Sequence, residues 1–166
     1  MTLIAHTDAA LMVLGVSLCF AVCLCVFRLR SRMRHSAGLV RASWIFLAGL
    51  EAGVAVWATQ CIVLIAHRPG IDVGIDPLLA LSGLLASVAG ATLALVIGWT
   101  ATDRTRGLAG SMMLALTIGL NQALVFGAYH LAGRVEWEPS TVWTAMAVNL
   151  LGVHGALLAT GRARTL

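Results

Sequence analysis

Seven polar side chains lie inside long apolar stretches of this sequence, four of them as two adjacent pairs, and they are its first candidates for chemistry. They are Glu51, Thr59, Gln60, Asn121, Gln122, Asn149 and His154. The Glu51 carboxyl and the His154 imidazole could pair or share a proton, because burial and neighbouring charges can bring both groups to titrate near neutral pH. The amides and the hydroxyl can only donate and accept hydrogen bonds. The sequence therefore suggests proton handling in one place and hydrogen bonding between segments in another.

Each of these residues also has a simpler structural interpretation. A buried carboxyl such as Glu51 can remain protonated and bond a backbone or hydroxyl group instead of His154. In an apolar bundle, polar side chains commonly join two helices, at about 0.6–2 kcal/mol per contact, and Asn149 suits that role. A helix–helix clamp of this kind is expected from Thr59, Gln60, Asn121 and Gln122. The alternative for the same four residues is a ligand cavity.

Three histidines, His6, His67 and His130, lie close in sequence to carboxylates. All three are found at the ends of the apolar stretches that lack the arginine clusters. Imidazole and carboxylate groups together can bind Cu²⁺ or Zn²⁺. Their spacing matches no known ligand motif, so solvated histidines are the favoured interpretation and an outer metal site is the alternative. No serine with a neighbouring base and no glycine-rich phosphate loop is present, so we predict that the chain is not an enzyme.

The composition indicates a membrane protein. Hydrophobic residues make up 60% of the chain and charged residues 11%, and the mean hydropathy is +0.93. Five stretches, near 8–28, 42–66, 77–101, 107–131 and 139–161, reach the roughly 20 apolar residues that one crossing needs. We therefore predict an all-α, polytopic membrane helix bundle of five transmembrane helices, forming a single domain over residues 1–166.

The arginines predict the orientation of these helices, because basic residues near a span favour the cytoplasmic side. Five arginines fall in the predicted loop 28–41, two in the turn 102–107 and two in the tail after residue 161. The N terminus should therefore lie outside and the C terminus inside a bacterial cytoplasmic membrane. The net charge of +4 follows from this asymmetry, so the expected partners of the arginines are anionic lipid headgroups rather than nucleic acid.

The chain contains an internal repeat with an acidic residue at the start of each unit. Asp8, Asp76 and Glu138 each precede an apolar stretch that ends in arginine. Gln60 lies sixteen residues before Asp76, and Gln122 lies sixteen residues before Glu138. This period predicts two and a half two-helix repeats, over residues 1–68, 69–131 and 132–166.

These motifs resemble the MHYT family of bacterial integral-membrane sensor modules. The family's two motif regions are similar to residues 53–64 (GVAVWATQCIVL) and 119–126 (GLNQALVF), and the loops leading to Asp76-Pro77 and Glu138-Pro139 continue the match. The resemblance implies two-helix repeats, a sensory role and a metal, proposed to be copper, held by motif His and Met residues. Here Gln60 and Gln122 occupy the histidine positions. Thr59, Asn121, Leu64 and Phe126 occupy the methionine positions.

A carboxamide is a poor substitute for imidazole and thioether ligands at a copper site, so we predict that the metal is lost and that no cofactor is bound. No output domain follows within the sequence, so the module is expected to act through partner proteins or as a homo-oligomer. An accessory subunit of a larger respiratory or photosynthetic membrane complex is the alternative. A small transporter is less favoured, because two and a half repeats do not form two complete halves.

Small residues suggest where helices approach closely. Six of them recur at intervals of three and four in the third helix and predict a packing face there, within the bundle or against another chain. They are Gly83, Ala86, Ser87, Gly90, Ala91 and Ala94. The four cysteines, at positions 19, 23, 25 and 61, are expected to be packing residues without a disulfide, because they fall at different depths.

Overall fold

Four long helices and four two- or three-residue strands form in the part of the chain that the computed structural model describes, residues 6–68, 73–99 and 104–131 with Thr144 and Ala147. The helices are α1 (Ala9–Arg34), α2 (Gly38–Ala66), α3 (Pro77–Trp99) and α4 (Arg104–Gly127). The strands are β1 (His6–Thr7), β2 (His67–Arg68), β3 (Val73–Ile75) and β4 (Tyr129–Leu131).

All four helices are long and apolar enough to cross a membrane, which confirms the first four of the five predicted spans and is consistent with a membrane protein. The fifth predicted span, 139–161, lies outside the described residues except for Thr144 and Ala147, which are both helical. The predicted orientation of the helices and the repeat boundaries stay predictions.

The helices pack in chain order, α1 on α2, α2 on α3 and α3 on α4. The buried hydrophobic side chains between them are mostly small, as at Ala48, Ala55, Ala91 and Ala94. Small residues suit a bundle in lipid, where helices associate through close van der Waals packing rather than through the hydrophobic effect. Little of the apolar part of α1 is buried by the part of the chain that the structure describes.

A strand pair closes the end of each two-helix hairpin. β1 pairs antiparallel with β2, with Thr7 opposite His67, and β3 pairs antiparallel with β4, with Gly74 opposite His130. One further backbone hydrogen bond lies beside each strand pair. The Asp8 N–H donates to Ala66 O (2.9 Å), and the Asp76 N–H donates to Ala128 O (2.8 Å). These short strands were not predicted, since two or three residues carry no readable alternation.

The repeated aspartates cap the helices that follow them. Asp8 Oδ1 accepts from the N–H groups of Ala10 (3.0 Å) and Leu11 (3.4 Å). Asp76 Oδ1 accepts from the corresponding groups, Leu78 (2.9 Å) and Leu79 (3.2 Å). Each carboxylate satisfies N–H groups that the first turn of a helix leaves without partners. The acidic residue at the start of each hairpin is thus a structural residue.

Replacing Asp76 by alanine should therefore lower the free energy of unfolding by about 1 kcal/mol, the usual contribution of an N-cap side chain. Asp76→Asn keeps an acceptor oxygen and should cost only a few tenths of that amount. Unfolding of the purified protein in mixed detergent micelles, followed by circular dichroism, measures both variants. An equal loss in the alanine and asparagine variants would show that charge, and not capping, is the contribution of Asp76.

The predicted loop 28–41 is wrong, because α1 continues through the arginines to Arg34 and α2 already begins at Gly38. Arginine is a good helix former and lies beyond the apolar span, where water and headgroups can solvate it while the helix continues. The connection is only three residues long, and Gly38 adopts φ +56°, a conformation that glycine reaches without steric cost. The predicted fourth helix is also too long, because residues 129–131 pair with β3.

Candidate functional site

Glycines on α2 bring it into contact with the backbone of α3. A Cβ atom at Gly53 would lie 2.6 Å from Val88 N and 2.7 Å from the carbonyl carbon of Ser87. One turn earlier, a Cβ atom at Gly49 would lie 2.6 Å from Thr92 Cα. Such approach is possible only without side chains, so these two glycines set the distance between the two helices.

The interface between α3 and α4 uses the small-residue face predicted from the sequence. Gly83, Ser87, Gly90, Ala91 and Ala94 are buried. A Cβ at Gly83 would meet Asn121 Oδ1 at 3.2 Å, and one at Gly90 would meet Thr117 Cγ2 at 2.6 Å. The predicted packing face is therefore confirmed, and it is used inside the bundle, between α2 on one side and α4 on the other.

Two of the most deeply buried side chains at these interfaces are polar. Asn121 on α4 and Ser87 on α3 are both 0% exposed. Neither the Asn121 amide nor the Ser87 hydroxyl has a hydrogen-bond partner among the described residues. The Thr59 hydroxyl on α2 is also buried without a hydrogen-bond partner among the described residues. A buried polar group without a partner costs about 1–3 kcal/mol, so these three groups lower the stability of this arrangement of helices.

The predicted hydrogen-bonded clamp does not form through Thr59 and Asn121. Thr59 faces α1, where its methyl group would lie 3.8 Å from a Cβ at Gly15, whereas Asn121 faces Gly83 on α3. The periodicity placed the two residues at a similar depth, but depth does not determine which neighbouring helix a side chain faces. Gln60 and Gln122 are half-buried.

A polar contact that the sequence did not reveal crosses the α2–α3 interface instead. The indole N–H of Trp57 donates to the backbone oxygen of Ala80 across the α2–α3 interface (2.9 Å). Thr92 and Thr117, which pack against glycines, donate within their own helices to Val88 O (2.7 Å) and Met113 O (2.8 Å). The Trp57 indole was the sequence feature that could have predicted the contact with α3, because a buried tryptophan N–H usually finds an acceptor.

Glu51 is half-buried in α2, and its side chain lies near the Cys25 thiol on α1. The sequence had suggested His154, or else a backbone or hydroxyl group, as its partner. His154 and Asn149 lie outside the described residues, so the pairing of Glu51 with His154 stays a hypothesis.

All four cysteines are free, as predicted. The expectation that they are packing residues is wrong for Cys19, Cys23 and Cys25, which are exposed on α1. They are exposed because α1 packs mainly on α2 among the described helices, and these three cysteines do not face that contact.

The residues at the MHYT-like motif positions do not fit a copper site. Thr59 and Asn121 supply hydroxyl and amide groups, which are poor copper ligands, and they lie at different helix interfaces. The outer histidines are divided between two strand pairs, His6 and His67 in one and His130 in the other; their side chains are not described. Among the side chains that are described, no three His, Cys, Asp or Glu residues are grouped to hold a metal ion.

Comparison with known proteins adds one relative. The chain is 34% identical over 163 residues to a protein of Caulobacter vibrioides named "uncharacterized signaling protein". The match covers 96% of this chain and 20% of the relative, so this chain spans about a fifth of the relative's length. No family model and no solved structure matches the chain.

Proposed function

We propose that this chain is a membrane-spanning sensory or regulatory module of bacterial signalling, MHYT-like in its repeats but without the metal of that family, and located in the cytoplasmic membrane. The supporting observation is the similarity along nearly the whole chain to a protein named for signalling. Four membrane-length helices, the motif-like stretches and the lack of a recognisable catalytic pattern support the same proposal. The module acts on partner proteins rather than by chemistry of its own.

The α3–α4 interface is the proposed moving part. Asn121 and Ser87 are buried there without partners among the described residues, while glycines keep the two backbones close. Helix shifts of about 1–2 Å are a common switching motion. Under this proposal, a shift of that size gives the Asn121 amide a hydrogen-bond acceptor that it lacks in the present arrangement, and this second arrangement is the other state of the switch. A signal that favours one of the two arrangements changes the surface offered to a partner.

A chimera tests the signalling role. The matching 163-residue segment of the Caulobacter protein is replaced by this chain, and the transcript profile of a deletion strain carrying the chimera is measured. We expect the chimera to restore most of the deletion's transcript changes. A second chimera with an unrelated four-helix membrane bundle at the same junctions should restore none. Equal profiles for the two chimeras would contradict the proposal.

Native mass spectrometry of the detergent-solubilised chain separates this function from that of an accessory subunit. A sensory module should purify as a monomer or homo-oligomer, whereas an accessory subunit should co-purify in fixed ratio with unlike chains. Metal analysis of the same sample tests the ligand-loss argument, and stoichiometric copper in the unaltered protein would contradict it.

A further inference from the structure

A shallow surface cavity of about 280 Å³, open to the outside over most of its extent, lies at the end of the α1–α2 hairpin and is lined by Arg32, His35, Ser36 and Trp44. Pockets for drug-sized ligands enclose roughly 300–1,000 Å³, so this cavity suits a smaller group. All four lining side chains carry hydrogen-bond donors, and Arg32 also carries a permanent positive charge. The lining therefore favours a small anion.

The cavity is built from side chains and backbone held in place by specific contacts. The Arg32 guanidinium lies over the Trp44 ring, 5.7 Å from its centroid, a cation–π distance that orients the planar group. The Ser36 hydroxyl donates to Arg32 O (2.9 Å), and Arg41 Nε donates to Ser36 O (2.7 Å). These bonds fix the three-residue connection and use the Ser36 hydroxyl proton, so the Arg32 guanidinium, held against Trp44, is the group that an incoming anion meets.

The sequence around the lining residues is basic. Arginine occupies positions 28, 30, 32, 34 and 41, and no Asp or Glu occurs between Asp8 and Glu51. A guanidinium is always charged in proteins and presents a fork of donors that matches a phosphate group. The charge and the donor geometry of Arg32 therefore favour a phosphate group over an anion that offers only one oxygen atom.

The cavity also lies at the depth of lipid headgroups. The apolar span of α1 ends at Val26, and six further residues of helix place Arg32 about 9 Å beyond it. The hydrocarbon core of a bilayer is about 30 Å thick, and the polar headgroup layer begins where that core ends. Tryptophan is enriched at the boundary between hydrocarbon and headgroups, and the position of Trp44 in the cavity lining agrees with that preference.

We propose that the cavity formed by Arg32, His35, Ser36 and Trp44 binds a phosphate group, carried either by an anionic phospholipid headgroup or by a soluble phosphate compound. This inference is independent of the proposed signalling function, because it rests only on the α1–α2 connection.

Native mass spectrometry of the full chain in detergent, titrated with phosphatidylglycerol or phosphatidylcholine, tests the site. The chain should retain phosphatidylglycerol in preference to phosphatidylcholine. Arg32→Gln should weaken that retention about tenfold, as expected for loss of a charged hydrogen bond. Arg28→Gln is the matched control, since it removes the same charge one helical turn away without removing a residue of the lining, and it should weaken retention clearly less than Arg32→Gln does. Equal losses in the two variants, or no preference between the lipids, would overturn the proposal.

Two further measurements keep the test decisive. If Arg32→Gln fails to fold, Arg32→Lys retains the charge without the fork, and it should still bind more weakly than the Arg28→Lys control; equal binding would overturn the site. Titration with inorganic phosphate, followed by calorimetry, distinguishes the two sources. Phosphate binding that depends on Arg32 and displaces phosphatidylglycerol supports a soluble ligand. Phosphatidylglycerol retained in excess phosphate supports a lipid.

Discussion

Replacing Gly53 by alanine is expected to lower the free energy of unfolding by about 2–3 kcal/mol, the upper part of the range for overpacking. The added methyl group would overlap the backbone of α3 at Ser87 and Val88. A side chain can rotate away from such an overlap, but backbone atoms in the middle of a helix cannot, so α2 and α3 must separate. Separation also strains the hydrogen bond between Trp57 and Ala80.

Gly119→Ala is the matched control for Gly53→Ala. Gly119 lies in the interior of α4, and a Cβ there would meet nothing within 4 Å. Alanine is favoured over glycine inside a helix by about 0.5–1 kcal/mol, so this variant should be as stable as the parent or more so. Both free energies of unfolding come from titration with a denaturing detergent. A Gly53→Ala protein as stable as the Gly119→Ala protein would contradict the close contact between α2 and α3.

Replacing Asn121 by leucine is expected to raise the free energy of unfolding by about 1–3 kcal/mol. A fully buried amide without a partner loses its hydration without compensation, and an apolar side chain of similar size removes that cost. The same variant should lose signalling in the Caulobacter chimera, because the proposed second arrangement of α3 and α4 depends on the amide. Greater stability together with lost output is the expected pair of results.

Gln122→Leu is the control for Asn121→Leu, because it makes a similar change at the neighbouring position of the same helix, where the side chain is half-buried. Its effect on stability should stay within about 0.5 kcal/mol, as for most positions away from buried networks. If Asn121→Leu instead destabilised the protein by more than 1 kcal/mol, a cost typical of removing a bonded group, the amide would be bonded in the intact protein. The search for its partner would then begin at the predicted fifth helix and Asn149.

The apolar stretches were enough to predict the four described helices, because a length of about 20 apolar residues is a local property of the chain. The packing face of α3 was also predictable, since small residues at intervals of three and four lie on one side of a helix. The acidic residue before each hairpin marked the start of α1 and of α3. Its role as an N-cap follows from the hydrogen bonds that Asp8 and Asp76 accept.

Other features depended on neighbours that a linear pattern does not show. The arginines of α1 were predicted to lie in a loop because charge was taken as the end of the helix, whereas charge marks only the end of the apolar span. The clamp failed because Thr59 and Asn121 share a depth but face different helices. Cys25 was missed as a neighbour of Glu51, because neither helix segment by itself determines the register between α1 and α2.

The sequence by itself determined that this chain forms long apolar helices, where their apolar spans lie, and which face of α3 is small enough to be packed against. These properties follow from side-chain hydrophobicity and helical periodicity within single segments. Only the tertiary structure decided that Ser87 and Asn121 are buried without partners, that Gly53 touches backbone, and that Arg32 stacks on Trp44 beside a cavity. Those outcomes depend on the rotation and register of one helix against the next, which are selected by packing between segments.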